Sequence, residues 1–259
     1  MLNNPNNLSV RLAETAADRL AAERLRYRVF IEELGGNGPL VDHENRFERD
    51  RFDEHYDHLI LVDDERSVED LDHVVGVYRV MPADRARAIG GFYSEAEYDL
   101  TPLVASGRKL LELGRSCVHP DYRDGHALLL LWQGLGAYVE ETGAEILFGV
   151  ASFHGTDVEA LAMPLSHLHA KHLAPAELRV RAQPDVFQAM DLLPPQEIDR
   201  VAAMRSVPPL IKSYLRLGGF VGEGAYIDRV FNTTDVCLVL DTARISDRDR
   251  GRFTGELRA

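Results

Sequence analysis

Cysteine is scarce in this chain of 259 residues, which contains only Cys117 and Cys237. Two cysteines this far apart match neither a metal site nor a disulfide scaffold, and they fit a reduced, cytoplasmic setting. The longest apolar run, about 127–132, is far too short to span a bilayer. Residues 1–7 are rich in Asn and lack the basic and then apolar order of a signal peptide. We therefore expect any membrane contact to be peripheral, at the cytoplasmic face.

Positive charge is also in short supply, since 29 Lys and Arg face 42 Asp and Glu and give a formal net charge of −13. Coating a nucleic acid requires concentrated Lys and Arg, so the composition argues against a nucleic-acid partner. A local basic patch can still exist on an acidic protein. The apolar share of 45% is ordinary for a globular protein, and the chain is long enough to bury a substantial core.

Hydrophobic periodicity predicts a chain that mixes strands and helices. The stretches 35–57 and 82–108 have no clear period and are predicted as loops, and residues of about 175–207 as an insertion with one or two short helices. The charged end, about 246–259, is predicted to be a mobile tail. The predicted strands are 9–13, 58–62, 74–81, 110–118, 145–151, 226–228 and 235–240, and the predicted helices are 15–34, 125–142, about 157–173 and 208–217. Such an order indicates one α/β or α+β domain, a mixed sheet flanked by helices.

The strand at 110–118 carries a carboxylate and a guanidinium in a mostly apolar run. Alternation predicts one face with Glu112, Gly114 and Ser116, and the other with Leu111, Leu113, Arg115 and Cys117. One interpretation is a buried or edge ion pair. The other is a general base and an anion clamp beside a bound acyl chain.

The turn that follows opens the helix at 125–142. Backbone N–H groups at a helix start favour phosphate, and the small residues Gly125 and Ala127 would allow it a close approach. An ordinary helix entry explains the same residues. The histidines His167, His169 and His172 lack the i, i+4 spacing of a helical zinc site, so we expect no metal.

Several segments, read together, resemble the ornithine-lipid N-acyltransferases, which are bacterial GNAT-like enzymes sometimes labelled hemolysin-like. The similarity runs from about residue 10 to about residue 240. The segments that carry it are RLRYRVFIEELGG (24–36), DRFDEHYDHLILV (50–62), VVGVYRVMP (74–82), GGFYSEAEYDL (90–100), LELGRSCVHPDYR (111–123), LFGVASFHGTD (147–157), PPLIKSYLRLGGFVGEGAYID (208–228) and FNTTDV (231–236).

The resemblance implies a GNAT-like fold in a single domain, 1–259, with a mixed, mostly antiparallel sheet and an added helical region after the core. The core would be about 9–173 and 208–240. The resemblance also implies an enzyme that moves a 3-hydroxyacyl group from acyl carrier protein to the α-amine of ornithine. That is the first step of ornithine-lipid synthesis, with the carrier thioester as donor and no cofactor.

The family is related to the acyl-homoserine-lactone synthases, whose sparser pattern also matches this chain. The residues matched are Arg26 and Phe30 in the first helix, Asp50 and Asp53 in the acidic loop, and Glu112 and Arg115 in the central strand. This chain departs from that pattern at Gly36, where those synthases carry Trp, and at Gly114, where they carry Ser. These departures argue against S-adenosylmethionine as the amine donor.

The resemblance suggests a role for each of these residues. Glu112 would accept the amine proton, directly or through a water, and Asp50 and Asp53 would hold either the cationic end of ornithine or the Arg26 side chain. Backbone N–H groups from Arg115 through Ser116 to Cys117 would stabilise the oxyanion.

Further residues are expected to bind the acyl donor. Arg123, Gly125 and Ala127 would bind the phosphopantetheine, although Tyr122 stands where GNAT enzymes usually carry Gln or Arg. Phe92 and Tyr93 would form part of a wall over the acyl chain. An acidic carrier also needs a basic landing surface, for which the candidates are Arg108, Lys109, Arg123, Lys171, Lys212 and Arg216.

Other functions stay open on the sequence alone. A synthase of the acyl-homoserine-lactone type, or an N-acyltransferase for glycine, lysine or glutamine, fits much of the same pattern. A non-catalytic protein that binds acyl carrier protein or a membrane surface is a third interpretation, against which Glu112 and Arg115 argue.

Overall fold

The computed structural model describes residues 7–253, and contacts within the chain divide it into two compact units. Among these residues, the first unit comprises 7–81, 113–143 and 247–253, and the second comprises 82–112 and 144–246. The strands are β1 (Leu8–Leu12), β2 (Asp57–Asp63), β3 (Val74–Pro82), β4 (Tyr98–Asp99), β5 (Leu110–Val118), β6 (Ile146–His154), β7 (Arg181–Ala182), β8 (Phe220–Val221), β9 (Tyr226–Asp228) and β10 (Thr233–Asp241). The helices are α1 (Ala16–Arg26), α2 (Ala83–Ala88), α3 (Thr101–Ala105), α4 (His126–Thr142), α5 (Ala162–His172), α6 (Arg200–Ser206), α7 (Pro209–Arg216) and α8 (Asp247–Phe253). The assignment of the whole chain to a single domain stays a prediction.

The first unit is built on antiparallel pairs of β1 with β2 and of β2 with β3. Successive side chains of a strand point to opposite faces, so its two faces have separate cores. Ile60 of β2 packs in a cluster with Leu25 of α1, while its neighbour Leu61 packs in a cluster with Leu131 of α4. The near-continuous apolar run of β2 is therefore explained by helices on both faces.

Helix α4 approaches β1 closely at a glycine. A Cβ atom built on Gly134 would lie 2.3 Å from Cγ1 of Val10 and 3.3 Å from Cδ1 of Leu59. Real Cβ contacts are not this short, so the absence of a side chain at Gly134 sets the distance between helix and strand.

The second unit holds the parallel pairing of this fold. Leu110–Glu112 of β5 pair in parallel with residues 146–148 of β6, and β6 pairs antiparallel with β10 along its full length. Strand β10 also pairs antiparallel with β8 and β9, and β4 pairs antiparallel with β7. The expected mixed, mostly antiparallel sheet is confirmed.

The prediction of a loop over 82–108 is wrong. This stretch holds α2, a 3₁₀ turn at Tyr93–Ala96, β4 and α3. Each element is six residues or shorter, which is too short for a helical or strand period to stand out in the sequence.

The predicted helix that begins near residue 157 starts later, at Ala162. The strand predicted over 145–151 ends later, because β6 continues to His154 through its pairing with β10. Asp157 then accepts hydrogen bonds from the backbone N–H groups of Glu159 and Ala160, which holds a turn before α5.

The helix predicted over 15–34 is present, but its second part has a different geometry. Thr15 and Asp18 form a capping box at the start of α1, as the sequence TAAD permits. Residues Tyr27–Glu33 continue the helix as a π-helix, a rare form that is frequent at functional sites.

The predicted mobile tail contains helix α8. Phe253 is buried, and its ring meets the ring of Trp132 edge-on at 5.9 Å between centroids. The sequence analysis missed this contact because most residues of α8 are charged. The remainder of that prediction, 254–259, lies outside the described residues, as do residues 1–6 of the Asn-rich start.

Candidate active site

A network of buried charges occupies the first unit. Arg26 of α1 is fully buried, and its Nη2 donates to Oδ2 of Asp53 at 2.9 Å while its Nε donates to Glu48. Arg79 of β3, also buried, donates to Asp53 at 2.9 Å and to Asp50 at 2.8 Å. Charges are tolerated in the interior when they are paired and hydrogen-bonded, and this network meets that condition.

Arg115 of β5 joins the same network. Its Nε donates to Oε1 of Glu48 at 3.2 Å, and its Nη2 donates to Oδ2 of Asp50 at 3.1 Å. Both oxygens of Asp50 therefore accept from arginines, since Oδ1 accepts from Arg79. We refer to Arg26, Glu48, Asp50, Asp53, Arg79 and Arg115 as the arginine–carboxylate network.

The network keeps its members charged. Burial alone would raise the pKa of Asp53, but Arg26 and Arg79 outweigh it and hold that pKa well below its usual range. The same balance between burial and the charges of Arg26 and Arg115 lowers the pKa of Glu48. An acidic side chain held this way binds arginine strongly and is a poor proton acceptor.

The structure thus places the predicted residues Arg26, Asp50, Asp53 and Arg115 together. Asp53 holds Arg26, which is one of the two roles expected for it from the sequence. Glu48 and Arg79 were missed by sequence reasoning. A signal was present for Arg79, a lone charge in the apolar run VVGVYRVM, whereas Glu48 lies in a charged loop that gives no such contrast.

Strand β5 departs from regular alternation at Arg115. This residue has a φ of 51°, in the left-handed region that non-glycine residues rarely adopt, and its contacts with Glu48 and Asp50 accompany that conformation. A positive φ within a strand turns the local peptide planes out of the regular ladder, as in a β-bulge. The alternation assumed for the strand therefore does not hold beyond Leu113.

Cys117 packs in the core of the first unit, in the cluster that includes Ala21 and Leu25, with the half-buried Phe30 against it. Burial raises the pKa of the Cys117 thiol to about 12. The thiol is therefore protonated at neutral pH, and its contribution to a site is that of packing. Ser116, its neighbour, is half-buried.

Glu112, in the part of β5 that belongs to the second unit, is buried and anchors a turn. Its Oε2 accepts from the backbone N–H of Tyr93 at 3.0 Å, and its Oε1 accepts from that of Ser94 at 2.7 Å. Phe92, just before this turn, is buried and meets Phe148 edge-on at 4.9 Å between centroids. The segment 92–94 is thus fixed by Glu112 and by an aromatic contact.

The start of α4 has the small residues expected there. Gly125 caps the helix with a φ of 94°, and Ala127 is buried in the core. Asp124 accepts from the backbone N–H of His126, so a carboxylate occupies part of the helix start.

Arg123 makes a bidentate pair with Glu33, with both partners well exposed. An exposed pair of this kind contributes little stability, which leaves Arg123 available to a competing anion.

Tyr122 is buried, and its hydroxyl donates to Asp63. The residue that stands where GNAT enzymes usually carry Gln or Arg is therefore a core residue in this chain. Within residues 7–253, none of the helices is both long and apolar enough to cross a membrane.

Comparison with known proteins bears on the family and on the fold. The family model described as an acetyltransferase (GNAT) domain matches residues 25–133. The L-ornithine N(alpha)-acyltransferase of Rhodobacter capsulatus is 60% identical over 96% of each chain. The enzyme of the same name from Brucella abortus is 45% identical over 93% of this chain and 87% of its own.

Solved structures show the same fold at low sequence identity. An N-acyl amino acid synthase from uncultured soil microbes is 13% identical, with a TM-score of 0.52 over 97% of this chain and 98% of its own. A CoA-dependent acyl-homoserine lactone synthase is 14% identical, with a TM-score of 0.50 over 96% of this chain and 89% of its own. The chain has the GNAT fold and is an acyltransferase.

Proposed function

The chain belongs to the L-ornithine N(alpha)-acyltransferase family, and we propose that it transfers a 3-hydroxyacyl group from acyl carrier protein to the α-amine of L-ornithine. The observation that carries this proposal is the 60% identity to a curated enzyme of that name over 96% of both chains. Such coverage includes every segment that the sequence offers for catalysis and binding.

The reaction forms an amide bond and breaks a thioester. The neutral α-amine attacks the thioester carbon, the C–S bond breaks, and the proton lost by the nitrogen ends on the departing thiolate. An α-amine is mostly protonated at neutral pH, so a base near the nitrogen accelerates the step. We assign this role to Glu112, whose carboxylate is fixed by the N–H groups of Tyr93 and Ser94.

The tetrahedral intermediate needs hydrogen-bond donors for its oxyanion. We assign them to backbone N–H groups of the segment Arg115–Cys117, where the positive φ of Arg115 redirects the peptide planes. In this account the arginine–carboxylate network consists of positioning residues. Asp50 and Arg115 hold β5 in its irregular geometry, and Asp53 holds Arg26.

The donor is expected to be a carrier thioester, and Arg123 is the candidate contact for its phosphate. A phosphate can replace Glu33 as the bidentate partner of Arg123. Because the chain is acidic overall, carrier binding depends on local positive charge and is expected to weaken steeply with added salt.

The most direct test of the activity is expression of this chain alone in a bacterial host that makes no ornithine lipids, followed by mass spectrometry of the lipids. We expect one new species with the mass of ornithine carrying a single 3-hydroxyacyl group. A homoserine lactone, an acylated glycine, lysine or glutamine, or an unchanged lipid profile would contradict the proposal.

The role of Glu112 is tested by Glu112→Gln in the purified enzyme. We expect kcat to fall by a factor of about 10²–10⁴, the usual contribution of a general base, with little change in the KM for ornithine. The residual rate is expected to rise with pH, because solvent must then deprotonate the amine. An unchanged kcat at saturating substrates would show that Glu112 only anchors the 92–94 turn.

A further inference from the structure

Three buried carboxylates of the second unit come together away from the arginine–carboxylate network. Glu97 precedes β4, Asp228 ends β9 and Asp235 lies in β10, and all three are at most 6% exposed. One oxygen from each lies within 4.8 Å of the other two. Like charges this close repel each other, and repulsion is stronger in a buried site than in water. We refer to these three residues as the carboxylate cluster.

A buried hydroxyl next to the cluster points to a ligand. Thr233 is 6% exposed, and its Oγ1 has no hydrogen-bond partner within residues 7–253. Thr233 stands directly opposite Asp228 in the ladder of β9 and β10, and Asp235 follows two residues later on the same face. Opposed side chains in an antiparallel pair are neighbours, so the hydroxyl faces the cluster. Buried hydroxyls are normally satisfied, and this one finds no partner among the described residues.

Two tyrosines beside the cluster respond to its negative charge. Burial, and then charges that include those of Glu97 and Asp235, raise the pKa of Tyr98 well above its usual value. Burial, followed by Asp228, Glu97 and Asp235, raises the pKa of Tyr226. The local potential therefore opposes any further negative charge and favours a cation.

Two exposed side chains stand next to the cluster in the ladder of β6 and β10. Ser152 and His154 of β6 are exposed, and they are the ladder partners of Asp235 and Thr233. Cross-strand partners have Cβ atoms about 5 Å apart. The carboxylate cluster therefore has solvent-exposed neighbours on the β6 side.

The carboxylates that the sequence offered for the cationic end of ornithine are already occupied. Asp53 bonds Arg26 and Arg79, and Asp50 bonds Arg79 and Arg115. An acceptor with a second ammonium group must find its counter-charge elsewhere. The carboxylate cluster supplies it within the second unit, to which Glu112 also belongs.

We propose that Glu97, Asp228 and Asp235 bind the δ-ammonium of ornithine, and that the Thr233 hydroxyl shares one of the three N–H donors with a carboxylate. An alkylammonium has three N–H donors, one for each carboxylate. Tetrahedral geometry with charge-assisted bonds of about 2.8 Å places three acceptors about 4.6 Å apart, and the three carboxylate oxygens lie within 4.8 Å of one another. Holding the δ-ammonium leaves the α-amine as the nitrogen that reacts, and it makes the cluster the determinant of acceptor specificity.

A divalent metal ion is the competing occupant. Ca²⁺ takes six to eight oxygen ligands and Mg²⁺ demands a near-ideal octahedron. An ammonium has three N–H donors, which the three carboxylates can accept without water, whereas a metal ion here would need second carboxylate oxygens or water to complete its ligand shell. The proposal rests on the proposed function, because the ligand it names is the acceptor of that reaction.

The test compares two acceptors in the purified enzyme, L-ornithine and L-2-aminopentanoic acid, which has the same chain without the δ-amine. For Asp235→Asn we expect the KM for ornithine to rise by about 10–100-fold with kcat within about threefold, the loss typical of one charge-assisted bond. The preference for ornithine over 2-aminopentanoic acid should shrink by the same factor. The control Glu159→Gln, an exposed carboxylate of the second unit, should match the wild type.

A second variant and a second measurement guard against misfolding. Thr233→Val removes the buried hydroxyl at nearly constant volume, and we expect an ornithine KM raised by about 3–10-fold. Thermal unfolding without ligand should show a single cooperative transition for both variants, as for the wild type. The rise in Tm that ornithine gives the wild type should be lost.

The outcomes separate this inference from the proposed function. If the wild type acylates ornithine while both variants keep its KM and its preference, the cluster does not bind the δ-ammonium. Activity lost to EDTA and restored by Ca²⁺ or Mn²⁺, with metal binding abolished in Asp235→Asn, would overturn the inference in favour of a metal. If the wild type makes no acyl-ornithine but ornithine still raises its Tm and not that of the variant, the proposed reaction fails and the binding site stands.

Discussion

At the scale of single residues, Asp53 carries the most contacts of the arginine–carboxylate network. It accepts from two buried arginines and from the backbone N–H of Asp50, at 2.7 Å in the last case. Its pairing with Arg26 compensates the burial of both charges, and removal of one partner leaves the other charge without compensation. These contacts predict that Asp53 contributes to the stability of the fold.

We expect Asp53→Asn to lower the free energy of unfolding by about 3–5 kcal/mol, the usual cost of breaking a buried pair. Urea denaturation at neutral pH measures the change. Glu44→Gln, an exposed carboxylate in the same loop, is the control and should stay within about 0.5 kcal/mol of the wild type. A loss below about 1 kcal/mol for Asp53→Asn would mean that the network adds little to stability.

The same carboxyl predicts a pH dependence. Its pKa in the folded chain is below the unfolded value of about 3.9, so its stabilisation is fully present above that value and is lost as pH falls through the folded pKa. Between about pH 5 and pH 2, the wild type should therefore lose stability more steeply than Asp53→Asn. Parallel curves would show that Asp53 does not titrate in this way.

Residue chemistry could be read from the sequence only in part. Glu112 and Arg115 stand out because charges are rare in apolar strands, and the family pattern adds Arg26, Asp50 and Asp53. The sequence does not show which charged residues pair with each other. The pairs join α1, β3, β5 and the loop at 48–53, which are far apart in the sequence. Asp50 and Asp53 look like a cation site in the sequence, and only the fold shows that arginines occupy both.

At the scale of elements, strand β5 shows why periodicity has limits. Two-residue alternation assigned Arg115 and Cys117 to one face with Leu113, but the left-handed φ of Arg115 ends that regularity. A backbone conformation held by Glu48 and Asp50 is set by tertiary contacts, which no local pattern reports. Strand β3 and helix α4 were predictable because their apolar runs are long, with Pro82 at the end of β3 and Gly125 and Gly143 on either side of α4.

The close packing of α4 on β1 predicts how a substitution at Gly134 changes stability. Gly134→Ala adds the better helix former, which alone would stabilise by about 0.5–1 kcal/mol. The new Cβ would lie 2.3 Å from Cγ1 of Val10, a stiff β-branched side chain, and overpacking of this kind costs about 1–3 kcal/mol. We therefore expect a net loss of stability, measured by thermal unfolding. Gly38→Ala, whose Cβ would lie 3.4 Å from the nearest atom, is the control.

A gain in stability for Gly134→Ala would contradict this account. It would mean that Val10 moves aside at a cost smaller than the helix propensity gained. The double variant Gly134→Ala with Val10→Ala separates the two terms, because removal of the Val10 methyl groups should recover part of the loss.

At the scale of the whole molecule, the carboxyl-terminal residues extend the core of the first unit. Phe253 of α8 is buried against Trp132, the single tryptophan of the chain. A charged segment with one aromatic residue gives too weak a pattern to predict a docked helix, and its order depends on a partner more than a hundred residues away. The insertion at about 175–207 was predicted to contain one or two short helices. Its many prolines do not allow long helices.

Phe253→Ala should expose Trp132 and shift its fluorescence emission to longer wavelength, with a loss of about 3–5 kcal/mol in unfolding free energy. Because the chain has one tryptophan, the signal has a single source. Arg248→Ala, at an exposed position of the same helix, should leave the emission unchanged. Identical emission for the Phe253 variant and the wild type would argue against the docking of α8.

The position of the acyl group on the product tests the proposed activity most directly. Purified protein is incubated with 3-hydroxyacyl carrier protein and L-ornithine, and tandem mass spectrometry locates the acyl group on one of the two nitrogens. The account predicts a single amide at the α-nitrogen and a free δ-amine. An amide at the δ-nitrogen, or acylation of 2-aminopentanoic acid as efficient as that of ornithine, would contradict it.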